Sequence, residues 1–124
     1  MNRFLVKSMI LSVIVILLFA FSTVTAGDKG KEVTIKGEVI DMSCYVSKGA
    51  KGEAHKACAE MCAKAGLPLG LLDEKGNVYL AASDKDMEPG NSKLMGHEAH
   101  TVTVKGTLFE KGGQKVIVIK SVEM

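Results

Sequence analysis

Glu32-Val33-Thr34-Ile35-Lys36-Gly37-Glu38-Val39-Ile40-Asp41 is the stretch on which the fold turns. Val33, Ile35, Gly37 and Val39 alternate with Thr34, Lys36 and Glu38, the period-2 pattern of a strand with one buried face. Gly37, in its middle, predicts a bulge or a sharp bend, because a strand residue without a side chain marks a kink or a close backbone approach. A strand that bends there can turn the corner of a small barrel.

Outward from this strand, Asp41-Met42-Ser43-Cys44 leads away, and Lys48 to Gly52 is a Gly- and Lys-containing loop. Glu53 to Ala65 reads as a helix, closed by Gly66 and with Pro68 just beyond. Its Ala54, Ala57, Cys58, Met61, Cys62 and Ala65 side is expected to plug or cover the sheet, small residues permitting close approach. Leu67–Leu72 and Asn77–Ala81 read as two strands joined by the turn Asp73-Glu74-Lys75-Gly76. Ser83 to Gly96 is polar and broken by Pro89-Gly90, with Asn91 placed to cap one helical turn through Met95. His100–Phe109 and Lys115–Val122 alternate again around the turn at Lys111-Gly112-Gly113-Gln114. On the last strand Val116, Val118 and Lys120 share one face and Ile117, Ile119 and Ser121 the other. Val104 and Val118 are expected to face the core.

The tally is mainly β with one helix: five short strands in a small, partly open barrel resembling the OB-fold, with the helix inserted after the first strand. An open α+β sheet with the helix on one face is the alternative.

Upstream, residues 1–26 read as a signal peptide. Arg3 and Lys7 form a basic start, Met9 to Phe21 is almost wholly apolar, and Val24 and Ala26 are small residues before a cleavage point at Gly27. The apolar run is short for a span of about 20 residues, although an uncleaved anchor is the rival reading. Export to the periplasm or the extracellular space follows. Of the 16 basic and 14 acidic residues, Arg3 and Lys7 leave with the signal, so residues 27–124 carry 14 of each sign. Such a balance argues against a nucleic-acid partner, and Tyr45, Tyr79 and Phe109 are too few aromatics for a base-stacking platform. Residues 27–124 make one small domain with a thin core, for which a metal or a disulfide is a useful staple. Contact with a membrane would come only through residues 1–26, and no protein partner is named.

The chemistry concentrates between Cys44 and Gly66, which holds all three cysteines of the chain and one of its three histidines. At about 100° per residue, His55, Cys58 and Cys62 fall within roughly 60° of one another on the helix, and Cys44 arrives from just before it. Three thiolates and an imidazole, Cys44, His55, Cys58 and Cys62, make a complete tetrahedral set for zinc, and sulfur ligands also suit copper(I). The spacing is not a standard zinc-finger pattern, but side chains at i and i+4 on one helical face can chelate.

The rival reading is a disulfide, since exported proteins meet an oxidising compartment. Cys44 can pair with Cys58 or Cys62, whereas Cys58 and Cys62 lie beyond bridging distance across a helical turn. Either bridge leaves an odd thiol, which opens a third reading, thiol–disulfide exchange. No Cys-x-x-Cys exists to support a thioredoxin-like enzyme. His97 and His100, near Met95 and Met87, read as solvated loop residues before they read as a second copper-type site. Asp41 either ends the first strand or orients His55 as a partner. A Cys44–His55 nucleophile pair has no oxyanion donor or third member in the sequence, so nothing marks the chain as an enzyme.

Gly37-Glu38-Val39-Ile40-Asp41-Met42-Ser43-Cys44, followed by His55-x-x-Cys58-x-x-x-Cys62, resembles an uncharacterised family of small exported bacterial domains with the pattern G-x-[VI]-x-D-x-x-C … H-x-x-C-x-x-x-C. The likeness covers essentially all of residues 27–124 and places the family's pattern on Asp41, Cys44, His55, Cys58 and Cys62. It implies an exported β-rich fold and carries no activity with it.

Overall fold

The computed structural model describes residues 29–124 and, before them, Arg3 alone. The signal segment read at residues 1–26 therefore lies outside the described residues, Arg3 apart. In chain order the elements are β1 (Lys31–Asp41), α1 (Met42–Lys48), a 3-10 turn at Glu53–His55 running into α2 (Lys56–Lys64), β2 (Leu69–Asp73) and β3 (Val78–Ser83). A second 3-10 turn at Gly90–Lys93 precedes β4 (Thr101–Lys111) and β5 (Gln114–Glu123).

The five strands form a closed barrel in the order β1-β2-β3-β5-β4. It is closed, not partly open, and it is not an open α+β sheet. The reason is β5. It runs antiparallel to β4 from Gln114 to Glu123 while Val116–Ile119 pair in parallel with Leu80–Ser83 of β3, so one long strand seals both sides. The parallel β3–β5 pairing has no local sequence signature, because it joins segments that no turn connects.

β1 is shared between two neighbours. Lys31–Glu38 pair with β4, and Gly37–Asp41 pair with β2. Gly37 sits in the overlap, where a Cβ would stand 2.7 Å from the Leu72 carbonyl oxygen. Its role is close approach; no register slip occurs in β1. The slip lies instead in the β4–β5 ladder, where Lys105 faces Ser121 but Gly106 faces Ile119. Lys120 is thus the extra residue, and Ile119 and Val122, three apart, both turn toward the core.

The interior is filled by Ile35, Val39, Leu69, Leu71, Leu94, Val102, Val104, Ile117 and Ile119, each with almost no solvent contact. Val104 faces the core as expected. Val118 does not: Ile117 and Ile119 own the inner face, and Val118 is half-buried outside. Asn91 also differs from its expected role. Pro89 takes the N-cap position of the 3-10 turn, and buried Asn91 reaches across to the start of β2. Its Oδ1 accepts from the Leu69 N–H at 2.7 Å and its Nδ2 donates to the Leu67 carbonyl at 2.5 Å.

The helical insertion between β1 and β2 contains one more helix than the sequence reading gave it. Asp41, extended at φ −72° and ψ 112°, N-caps α1 by accepting from the backbone N–H groups of Ser43 and Cys44, and Gly49 ends it at φ 70°. The α2 face on the barrel is also set differently. Ala59 and Ala63 are buried, while Ala54, Ala57 and Ala65 are exposed and Met61 is 65% exposed. Two methyl-sized side chains let the helix backbone lie close against β1, which a Met-bearing face could not do.

Candidate metal centre

Each part of the candidate centre is positioned by backbone chemistry that can be read residue by residue. Asp41 closes β1 and, through Oδ1, holds the first turn of α1, with its bond to the Cys44 N–H at 3.2 Å. Cys44 is therefore fixed from the end of a barrel strand. Glu38, also on β1, accepts from the Gly52 N–H at 2.5 Å, and Gly52 at φ 77° makes the turn that brings His55 back toward that strand. α2 then carries Cys58 and Cys62 on the side flanking the buried Ala59–Ala63 stripe. Its end is fastened by a bond from the Leu67 N–H to the Cys62 carbonyl and by Gly66 at φ 90°.

These ties bring together two overlapping triads. Ligand atoms of Cys44, His55 and Cys58 lie within 4.8 Å of one another, and so do those of Asp41, Cys44 and Cys62. The Cys/His groups are thus close enough to hold a metal ion, and Cys44 belongs to both triads. All three thiols are free and half-buried. Each of the four positions expected from sequence, Cys44, His55, Cys58 and Cys62, lies in this cluster. Asp41, read only as a strand end or an orienting partner, joins it as a potential oxygen ligand.

Two polar atoms in the cluster are buried without a hydrogen-bond partner, Asp41 Oδ2 and His55 Nε2. They face each other at 4.0 Å, too far for a hydrogen bond. A buried, unpaired carboxylate oxygen and ring nitrogen cost free energy that a protein ordinarily avoids. A cation between them and the thiols would satisfy both.

The electrostatics agree with that picture. Burial works against ionisation of Asp41, but the Cys62 thiol, which lies beside the carboxylate without reaching hydrogen-bond geometry, and the contacts from Cys44 and Ser43 outweigh it and hold its pKa below the usual carboxylate value. The Asp41 carboxylate in turn pushes the Cys62 thiol up to about 12, helped by burial and by Cys58. Burial, followed by Asp41, raises Cys44 as well. An activated nucleophile or an attacking redox thiol needs the opposite shift. The Cys44–His55 pair has the proximity of a catalytic dyad without its electrostatics. A bound cation inverts this logic, since its charge would deprotonate the coordinating thiols.

His97 and His100 are not simply solvated, as the sequence suggested. Both are half-buried and their Nδ1 atoms have no hydrogen-bond partner, while His100 Nε2 lies 3.4 Å from Lys56 Nζ. Met87 is fully exposed and Met95 is 42% exposed. Among the described residues neither histidine joins a group of three His, Cys, Asp or Glu ligand atoms near enough to hold an ion.

Asp41 was the site residue hardest to foresee. The available signal was the spacing Asp41-x-x-Cys44, an acidic N-cap three residues before a helical thiol, which places both on the same turn. Comparison with family models, with curated proteins and with solved structures returns no match for this chain.

Proposed function

We propose that this is an exported domain that binds a transition metal, zinc or copper, through Cys44, His55, Cys58 and Cys62, with Asp41 as a further oxygen donor at the same centre. The observation that carries the proposal is the pair of buried, unpartnered atoms, Asp41 Oδ2 and His55 Nε2, set among three free thiols. Sulfur with imidazole is a donor set for zinc or copper(I), and a hard cation such as magnesium would prefer an all-oxygen site. The ion would fasten α1 and α2 to the end of β1, in a structural or a metal-handling role. Export rests on the composition of residues 1–26.

A disulfide between Cys44 and Cys58 or Cys62 is the second reading, favoured by the position of Cys44 within 4.8 Å of both. It accounts for neither Asp41 Oδ2 nor His55 Nε2. Native mass spectrometry of the mature protein, purified with and without reductant, separates the two. A mass increment for zinc or copper that survives reductant and is lost to a chelator is the expected result. A loss of two protons without a metal increment would replace this function with a stapled module.

A further inference from the structure

Cys44 is the one residue common to both ligand triads. Its Sγ lies within 4.8 Å of the Cys58 Sγ in one triad and of the Cys62 Sγ in the other. Bonded sulfurs stand about 2.05 Å apart, so a bridge from Cys44 to either α2 cysteine asks for a movement of no more than about 3 Å. Cys58 and Cys62, four residues apart on an intact helix, do not bridge each other.

The element that carries Cys44 is free to make that movement. α1 is seven residues long and buries none of them. Its start is held by the Asp41 cap and by the Met42 N–H bond to the Pro68 carbonyl at 3.0 Å, and its end by bonds within its own last turn. All three cysteines keep part of their surface in solvent, within reach of a small reagent.

The thiolate is the metal ligand, and a disulfide sulfur is not. A bridge through Cys44 therefore removes two of the three sulfur donors and breaks both triads at once. What remains is one thiol with His55 Nε2 and Asp41 Oδ2, the pair that stand 4.0 Å apart.

We infer that the centre is a redox-gated metal site, in which a disulfide between Cys44 and an α2 cysteine releases the ion and reduction restores the site. The inference rests on the metal reading above. It differs from a permanent staple because the bridge and the ion compete for the same sulfurs. The oxidant is a low-molecular-weight disulfide. One cysteine thiolate attacks it, the S–S bond of the oxidant breaks and a small thiolate leaves. The second cysteine thiolate attacks the mixed disulfide, the protein S–S bond forms and a second small thiolate leaves. Two electrons pass from the protein sulfurs to the oxidant, and the ion departs as a dication. The coupling is reciprocal: the ion protects the thiols from oxidation by the factor by which oxidation weakens metal binding.

The test uses the full mature chain, zinc as the probe, and glutathione buffers of graded ratio with free zinc fixed by a chelator. Reduced protein should bind zinc. Protein oxidised by glutathione disulfide should bind it at least about a hundredfold more weakly, since outer-shell partners alone are worth about 10–100-fold. Raising free zinc from about ten to about a hundred times its dissociation constant should raise the midpoint potential of the thiol pair by about 30 mV, the tenfold change for a two-electron couple. Peptide mass spectrometry should map the bridge to Cys44, and Cys44→Ser should form no intramolecular bridge. Equal zinc affinity in the two states, a midpoint indifferent to zinc, or a bridge that persists in Cys44→Ser would each overturn the inference while the metal reading stands. A reduced protein that binds no zinc would overturn both.

Discussion

The barrel and the insertion between β1 and β2 are held by different physics. In the barrel, strand after strand contributes side chains with no solvent contact, Leu69, Leu71, Val104, Ile117 and Ile119 among them. The insertion, from Met42 to Pro68, buries only Ala59 and Ala63 within its helices, and α1 buries nothing at all. What fixes it instead is a few polar ties: Asp41 to the α1 backbone, Glu38 to Gly52, and Asn91 to Leu67 and Leu69. An apolar core is self-sufficient once formed, whereas a segment with so little burial gains a large fraction of its order from anything that binds it. A metal at the Cys/His cluster would act where the structure is weakest.

The contrast is broken most severely by a charge placed inside the barrel. Val104→Asp puts a carboxylate where the native side chain has no exposure, and it should leave the domain unfolded at room temperature. Val118→Asp, on the outer face of the neighbouring strand, should cost no more than a typical partly exposed substitution, about 1 kcal/mol. Urea denaturation of the two variants measures both. Equal losses would show that β5 presents a different face to the core than Ile117 and Ile119 indicate.

Metal removal should do the reverse, loosening the insertion while leaving the barrel folded. Cys44→Ser is expected to weaken metal binding the most, because Cys44 alone belongs to both triads. His55→Ala, Cys58→Ser and Cys62→Ser should each weaken it by a smaller factor. Competition with a chelating dye gives the affinities. Hydrogen exchange should show faster exchange in α1 and α2 on chelation, with the β4–β5 amides unchanged. A silent His55 together with one silent cysteine would point to a disulfide in place of the metal.

Asn91→Ala tests whether the polar ties carry the weight assigned to them. It leaves the Leu69 N–H without its partner at a fully buried position, which should cost about 1–3 kcal/mol. The loss should appear in denaturant unfolding even with metal bound, since the tie lies at the junction of insertion and barrel.

The same contrast explains what the sequence revealed. Alternation in Val33–Val39 and in Val102–Leu108 announced strands, because a half-buried strand writes its two faces into every second residue. The β3–β5 parallel seam wrote nothing locally, so closure of the barrel was missed. Val118 was misplaced for a related reason: Val116–Ile119 is apolar on both faces, and alternation cannot choose between them. In the insertion the candidate ligand residues stood out by chemistry alone, whereas its geometry did not. α1 is too short and too exposed to leave an amphipathic pattern, and α2 turns Ala59 and Ala63 inward where hydrophobicity would have chosen Met61. Asp41 went unassigned as a ligand because one carboxylate serves two purposes, a cap through Oδ1 and the cluster through Oδ2.

That double use of Asp41 leads to the smallest and most local effect. The Asp41 carboxylate is the main cause that raises the Cys62 thiol from 9.0 to about 12. A folded value above the unfolded one means that the thiol's contribution to stability is complete below about pH 9 and is lost as pH rises toward 12, where the unfolded chain ionises first. At pH 8 the metal-free protein should therefore hold Cys62 with far less thiolate than an unperturbed cysteine, and iodoacetamide should alkylate it correspondingly slowly. Asp41→Asn keeps a good N-cap for α1 while removing the charge beside the thiols. In that variant, alkylation of Cys62, followed by peptide mass spectrometry, should speed up on the order of tenfold or more at the same pH. Metal binding should weaken in parallel, because a neutral amide is a poorer partner for a cation than a carboxylate. Unchanged alkylation would mean that burial alone protects Cys62, and Asp41 would then be a cap and nothing more.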